Sequence, residues 1–316
     1  MDVVLEHLDE YAADYVYRYV ADQTTWPYLE RDNVYRQFLT LTVAVDIGIN
    51  ALYFLVSTLS YYLVFDRTLE QHPKFLKNQI RQEIRAAVKA FLPMTMLTVP
   101  WFILEIRGYS KVYDNVATYG WGYFFLSILL FLLFTDFGIY WVHRLLHHRL
   151  IYARVHKPHH KWIVPTPYAA FAFHYLDGYL QSVPYHLSVF VFPVHKFLYL
   201  GLFAFVNIWT VMIHDGEYLA TNPIVNGSAH HTVHHLYFNY NYGQYFTLWD
   251  RLFGSHRYPP KEVTDRELRN SKVVQKHQAS SVDQALPTLE ASQSPNTDLH
   301  RTLKGKLSET RQGTGG

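Results

Sequence analysis

From Phe38 to Phe65 the chain runs through 28 residues in which Asp46 is the only charged side chain. A helix of that length exceeds the roughly 30 Å hydrocarbon layer of a bilayer at about 1.5 Å of rise per residue. Four more apolar runs follow within the next 150 or so positions: Ala90–Leu104, interrupted by Pro93 and Pro100, then Trp121–Thr135, Tyr179–Val194 and Phe197–Ile213. The last two are joined by Pro193-Val-His195-Lys196. Each is about 25 Å long as a helix, enough to cross most of the hydrocarbon layer and return. Buried helices of a soluble protein explain one such run more easily than five in a row. The expected fold is all-α, a multi-span integral membrane protein. The near-zero mean hydropathy of −0.08 hides this, because polar ends dilute an apolar middle.

Loop charge sets the expected sidedness. Residues 66–89 carry Arg67, Lys74, Lys77, Arg81, Arg85 and Lys89, whereas the first 37 residues carry only Arg18, Arg31 and Arg36. The 107–118 loop has Arg107 and Lys111, and the stretch after the third run has Arg144, Arg149, Arg154, Lys157 and Lys161. This alternation puts loop 66–89 in the cytosol, and three crossings bring residues 143–161 to the same face. The 179–213 hairpin goes out and back, so whatever follows it returns there too. The first 30 residues hold no apolar segment of the cleavable-signal kind. From Lys261 onward the chain is rich in Ser, Gln, Thr and charge and nearly free of aromatics, which predicts a disordered tail over 261–316.

Fourteen of the 19 histidines lie between His143 and His235. They cluster as His143-Arg-Leu-Leu-His147-His148, His156-Lys-Pro-His159-His160 and His231-Thr-Val-His234-His235. Positions i, i+3 and i+4 share a helix face, so each cluster can present two or three imidazoles to one point. Pro158 disfavours a regular helix in the second cluster and leaves a turn as the alternative. Eight such nitrogens exceed the needs of one tetrahedral zinc and suit two metals with open positions. With no cysteine in the chain, any metal must be held by nitrogen and oxygen. Iron, zinc, copper and nickel all accept that ligand set. A net charge of +2 without a basic block gives no support to nucleic-acid binding.

The order and spacing of the three boxes resemble those of the membrane fatty-acid hydroxylase superfamily of non-haem di-iron oxygenases. Phe171-Ala-Phe-His174 with Asp177-Gly178, Ile213-His-Asp-Gly216, and the run Gly227-Ser-Ala-His-His-Thr-Val-His-His-Leu-Tyr-Phe-Asn-Tyr-Asn-Tyr-Gly-Gln-Tyr-Phe-Thr-Leu-Trp-Asp-Arg-Leu-Phe-Gly254 narrow the resemblance. They are similar to the sterol C5-desaturases of lathosterol oxidase type, in their fungal form, over roughly residues 35–260. The resemblance implies two iron ions held by His143, His147, His156, His159, His160, His231, His234 and His235, with His214 as a further ligand. It leaves His148, His174 and His230 open between ligand and supporting roles, and gives His186 and His195 a non-ligand role. His7, His72, His256, His277 and His300 are expected on the surface.

The implied organisation is a polar segment at 1–37, a transmembrane region at 38–142, and a cytosolic di-metal domain at 143–260 that includes the membrane hairpin. The implied reaction is an O2-dependent desaturation of a Δ7-sterol to a Δ5,7-sterol in sterol biosynthesis, at the endoplasmic reticulum membrane. Electrons are expected from NAD(P)H through cytochrome b5 and its reductase, because the chain has no dinucleotide-binding fingerprint of its own. Phe190, Phe192, Phe205 and Trp209 are expected to line a sterol channel, with Asp177 and Asn207 as contacts for the 3-hydroxyl. Competing readings are a C4-methyl sterol oxidase, a fatty-acid or lipid hydroxylase, a catalytically silent paralogue, and, from another class, a membrane zinc hydrolase or metal transporter. The last two classes usually pair histidine with glutamate or place ligands inside the membrane, and no box here contains a glutamate.

Overall fold

The computed structural model describes residues 1–20, 29–217 and 222–293, with side chains through residue 284. Two short helices, α1 (Asp2–Leu8) and α2 (Asp14–Val20), precede the long helix α3 (Val34–Leu63). Asn33 caps α3, its side chain accepting from the Tyr35 amide, so the helix starts just before the apolar run. The next two helices, α4 (Gln79–Ile106) and α5 (Gly120–Leu146), are also long and apolar enough to cross a membrane. The helix α4 extends the sequence-predicted run by a charged stretch bearing Arg81, Arg85 and Lys89, and passes through Pro93 and Pro100 without ending.

After the short helices α6 (Tyr152–Val155) and α7 (Lys157–His160) the chain forms a 3-10 turn at Pro167–Phe171. The apolar hairpin follows as α8 (Tyr175–Val191) and α9 (Lys196–Met212). The outer turns are tied together by two-residue strands, β1 (Val112–Tyr113) and β2 (Val194–His195), paired in parallel with Val112 opposite Val194. Beyond the hairpin come α10 (Ser228–Tyr237), α11 (Leu248–Leu252), α12 (Lys261–Thr264), α13 (Arg266–Asn270) and α14 (Lys272–Gln293).

A buried aromatic cluster fixes one end of this bundle. Tyr53 of α3 meets Phe91 of α4 and Tyr168 and Phe171 of the 3-10 turn edge-on, at centroid distances of 5.3, 6.2 and 5.8 Å. Its hydroxyl donates to the Tyr168 carbonyl at 2.9 Å, and Ser57 donates to the Pro167 carbonyl at 3.2 Å. Burying each of these aromatic bodies contributes roughly 1.5–3 kcal/mol. The packing sets the segment that follows the second histidine box against α3 and α4.

The expected disordered tail is corrected in part. Residues 261–293 are helical and dock behind the boxes, with Val263 and Val282 each 1% exposed. Asp66 holds them: its carboxylate accepts from Arg269 at 2.7 Å and from Arg266 at 3.2 Å. A few apolar residues spaced among polar ones supply the buried stripe, which average composition conceals. The rest of the expected tail, including His300, lies outside the described residues.

Candidate metal centre

Nine imidazoles from four parts of the chain meet at one end of the bundle. His143 stands in the last turn of α5 and His147 caps that helix. His156 precedes α7, which carries His159 and His160. Pro158 does not break this turn, because it occupies the first positions of the helix, where its missing amide is not needed. His214 follows α9, and His231, His234 and His235 lie along α10. Gly216 closes the His214 turn at φ +66°, a conformation that favours glycine, and a Cβ there would meet Leu69 at 2.9 Å.

The ring nitrogens form two groups. His143, His147, His156, His160 and His234 make one; His159, His214, His231 and His235 make the other; within each, the ligand atoms lie within 4.8 Å of one another. In the first, the Nε2 of His160 is 3.1 Å from that of His147, of His156 and of His234, and His143 is 3.1 Å from His156. In the second, His231 is 2.9 Å from His214 and 3.1 Å from His235, and His214 is 3.5 Å from His159.

These spacings fit a bound cation better than hydrogen bonds. The Nδ1 of His143 donates to the Tyr242 carbonyl at 3.0 Å, and that of His156 to Asp177 Oδ2 at 2.7 Å. The Nε2 of His160 stands 3.1 Å from three other Nε2 atoms, and one proton cannot bridge all three, whereas a cation among them would attract every lone pair. Nitrogens about 2.0–2.1 Å from a metal stand about 2.9 Å apart on an octahedral edge and about 3.4 Å apart on a tetrahedral one. The observed separations span that range. Burial, reinforced by neighbouring imidazoles, holds His147, His159, His160, His231, His234 and His235 well below the usual histidine pKa. They are therefore neutral near pH 7, the form that ligates a metal.

Supporting contacts come from residues that carry no histidine signature. Asp177, fully buried, orients His156. It was expected to meet a sterol hydroxyl, and the structure places it on the imidazole instead. His234 donates to the Tyr240 carbonyl at 2.7 Å and His214 to the Thr210 carbonyl at 2.7 Å. The Tyr/Asn run after the third box thus supplies backbone acceptors. Two buried carboxylates fix that run: Asp250 accepts from the Tyr242 and Gly243 amides, each at 2.9 Å, and Asp136 of α5 accepts from those of Gln244 and Tyr245. An apolar run broken once by Asp136 was the sequence signal for the latter.

His148 is exposed and His174 caps α8, accepting from the Leu176 amide. His230 is buried beside His256 and Tyr258, in neither nitrogen group. His195 donates to the Asp114 carbonyl. His7 and His277 are exposed as expected and His256 is half-buried, but His72 is buried against the C-terminal helices.

Under the nitrogens lies an apolar cavity of about 350 Å3, walled by α3, α4, α8 and α9. His143, His159, His214 and His231 close one end, and Val4 of α1 with Leu41, Leu200 and Phe203 line it elsewhere. Asn207 lines the cavity, with its side-chain amide donating to the Phe203 carbonyl at 2.7 Å. The expected channel aromatics do not: Phe190, Phe192 and Trp209 pack into a separate cluster with Phe131 and Tyr245, and Phe205 stacks on Tyr245. Apolar periodicity marked them as buried or lipid-facing but could not say which side of the helix met the cavity.

Clustered imidazoles at one end of an apolar cavity, in a chain with three helices long and apolar enough to cross a membrane, suit a metal-dependent protein that acts on an apolar molecule. The fatty acid hydroxylase sequence family matches residues 128–255. The Δ7-sterol 5(6)-desaturase erg31 of Schizosaccharomyces pombe is 53% identical over 87% of this chain and 89% of its own length. Human lathosterol oxidase is 53% identical over 82% and 86%, and a probable Δ7-sterol 5(6)-desaturase of Neurospora crassa is 44% identical over 97% and 100%. No solved structure matches significantly. The chain belongs to the fatty acid hydroxylase family, within its group of Δ7-sterol 5(6)-desaturases and lathosterol oxidases.

Proposed function

We propose that this protein is a sterol C5-desaturase that introduces the C5–C6 double bond into Δ7-sterols in sterol biosynthesis. The observation that carries the reading is the termination of the apolar cavity at four of the nine clustered imidazoles, in a chain half identical to named desaturases. The overall reaction consumes a sterol, O2, two electrons and two protons, and yields the diene and two waters. His143, His147, His156, His160 and His234 would hold one iron and His159, His214, His231 and His235 a second, and the pair when bound would supply the oxidising power that unactivated C–H bonds require.

The chain's own residues do the rest. Backbone carbonyls of Tyr240, Tyr242 and Thr210 and the Asp177 carboxylate keep four imidazoles in the tautomer that presents Nε2. The apolar walls receive the sterol ring system and exclude water from the reacting carbons. Reducing equivalents come from a separate protein, a reading that rests on the family resemblance. Cytochrome b5 and its NAD(P)H-dependent reductase at the cytosolic face of the endoplasmic reticulum fit the loop charges.

The test is expression in a cell that lacks sterol C5-desaturation, followed by sterol profiling. Wild-type protein restores the ultraviolet-absorbing 5,7-diene and His234→Ala does not. A 4-methyl oxidation product or a hydroxylated lipid without diene defeats the assignment.

A further inference from the structure

Two side-chain amides line the cavity beside its imidazole end, and each is tied to a ligand imidazole through one intermediate residue. Gln181 Nε2 donates to Asp177 Oδ1 at 2.7 Å, while Asp177 Oδ2 receives His156. Gln244 Nε2 donates to Thr210 Oγ1 at 3.1 Å, while the Thr210 carbonyl receives His214. These bonds fix both amide orientations. A carboxylate can only accept, so Gln181 must turn its nitrogen to Asp177. The Thr210 hydroxyl donates to the Val206 carbonyl at 2.9 Å, so it accepts from Gln244. Each glutamine is left with an Oε1 that has no partner among the described residues, and with a second N–H.

This pairing suits a group that both donates and accepts, as a hydroxyl does. A hydroxyl both donates and accepts a hydrogen bond, and a site offering an acceptor on one side and a donor on the other satisfies it completely. A ketone or an ether can only accept, and a hydrocarbon leaves both amides unsatisfied. In a sterol, C3 bears the hydroxyl and is separated from C5 by a single ring carbon. When C5 and C6 face the imidazoles, that hydroxyl must lie at the same end of the cavity. Its side chain then points toward the apolar residues away from the imidazoles.

We propose that Gln181 and Gln244 form a clamp for the substrate's 3-hydroxyl, positioning C5 and C6 against the metal end. The proposal rests on the sterol reading above and names positioning residues, neither of them a metal ligand.

The test compares two Δ7 substrates, one with the 3-hydroxyl and its 3-deoxy counterpart, in membranes containing the wild type, Gln181→Met or Gln244→Met. Methionine keeps the approximate volume and removes the hydrogen bonds. Each variant is expected to lower kcat/KM for the hydroxylated substrate about tenfold, the effect of losing one good hydrogen bond. Any loss on the deoxy substrate, which reports the hold of each amide on Asp177 or Thr210, should be clearly smaller, so the hydroxy-to-deoxy ratio falls. An unchanged hydroxy-to-deoxy ratio in either variant overturns the clamp. So does an equal loss on both substrates, which would mean that the glutamine serves only to hold Asp177 or Thr210. Wild-type protein that makes diene from neither substrate would instead defeat the desaturase reading itself.

Discussion

The two nitrogen groups are built differently. The five-imidazole group has three members braced through Nδ1, by Tyr242, Asp177 and Tyr240, and only His143 of the five reaches the cavity. The four-imidazole group has His214 braced by Thr210, and His159, His214 and His231 all line the cavity. The first is a packed, hydrogen-bonded scaffold; the second has fewer imidazoles and faces the apolar cavity. A site that must hold one metal firmly and leave positions free at another needs both kinds of construction.

Removing a ligand from each group should expose this contrast most strongly. His235→Ala and His147→Ala are both expected to lower diene formation at least ~100-fold, given how strongly catalytic groups act as a unit. Metal analysis should separate them. His235→Ala leaves three imidazoles and should lose about half of the bound metal, whereas His147→Ala leaves four and should retain most of it. Equal metal loss in the two variants breaks the distinction.

The bracing itself can be weakened without touching a ligand. Asp177→Asn keeps the shape but replaces an ionic acceptor with an amide, and should reduce metal affinity or activity by ~10–100-fold, measured by competition with a chelator. Gly243→Ala is expected to act on the same group more gently. Its Cβ would meet the Phe246 carbonyl at 2.5 Å and Asp250 at 3.1 Å, disturbing the turn that presents the Tyr242 carbonyl to His143. A destabilisation of about 1–3 kcal/mol is expected, readable as a lower melting temperature with metal bound.

The smallest effect should come from pH, behind the metal end. Burial lowers the His72 pKa to about 4 from an ordinary value of 6.5. The unfolded chain therefore binds a proton below pH 6.5 that the folded protein refuses until about pH 4. The His72 contribution is present above that window and is lost as pH falls through it, on the order of 3 kcal/mol. Asp66 adds to the trend at lower pH. Burial would raise its pKa, but hydrogen bonds from Thr68, Arg269 and Arg266 bring it below its usual value, so its contribution fades as pH falls below about 4. Melting of the His72→Phe variant across this range should lose the upper part of the pH dependence and keep the lower.

Much of this was legible from the chain. All nine histidines singled out by spacing and resemblance meet in the two nitrogen groups, and three of the apolar runs lie in long helices, of which α5 carries His143. The partners were harder to read. Asp177 looked like a substrate contact because a lone acid near a histidine box has no periodicity to reveal which neighbour it meets. Asp136 and Asp250 act on backbone amides more than 100 and about 8 positions away, respectively, a relation that only the folded chain creates. The docked C-terminal helices were missed because their buried residues, such as Val263 and Val282, are too sparse to outweigh polar composition.

The docking of residues 261–293 also has a consequence in time. A chain is synthesised from its N-terminus, so all nine imidazoles leave the ribosome before Arg269 can reach Asp66. During that interval the ligands exist without the helices that back them. The site is enclosed on that side only once those last helices have docked.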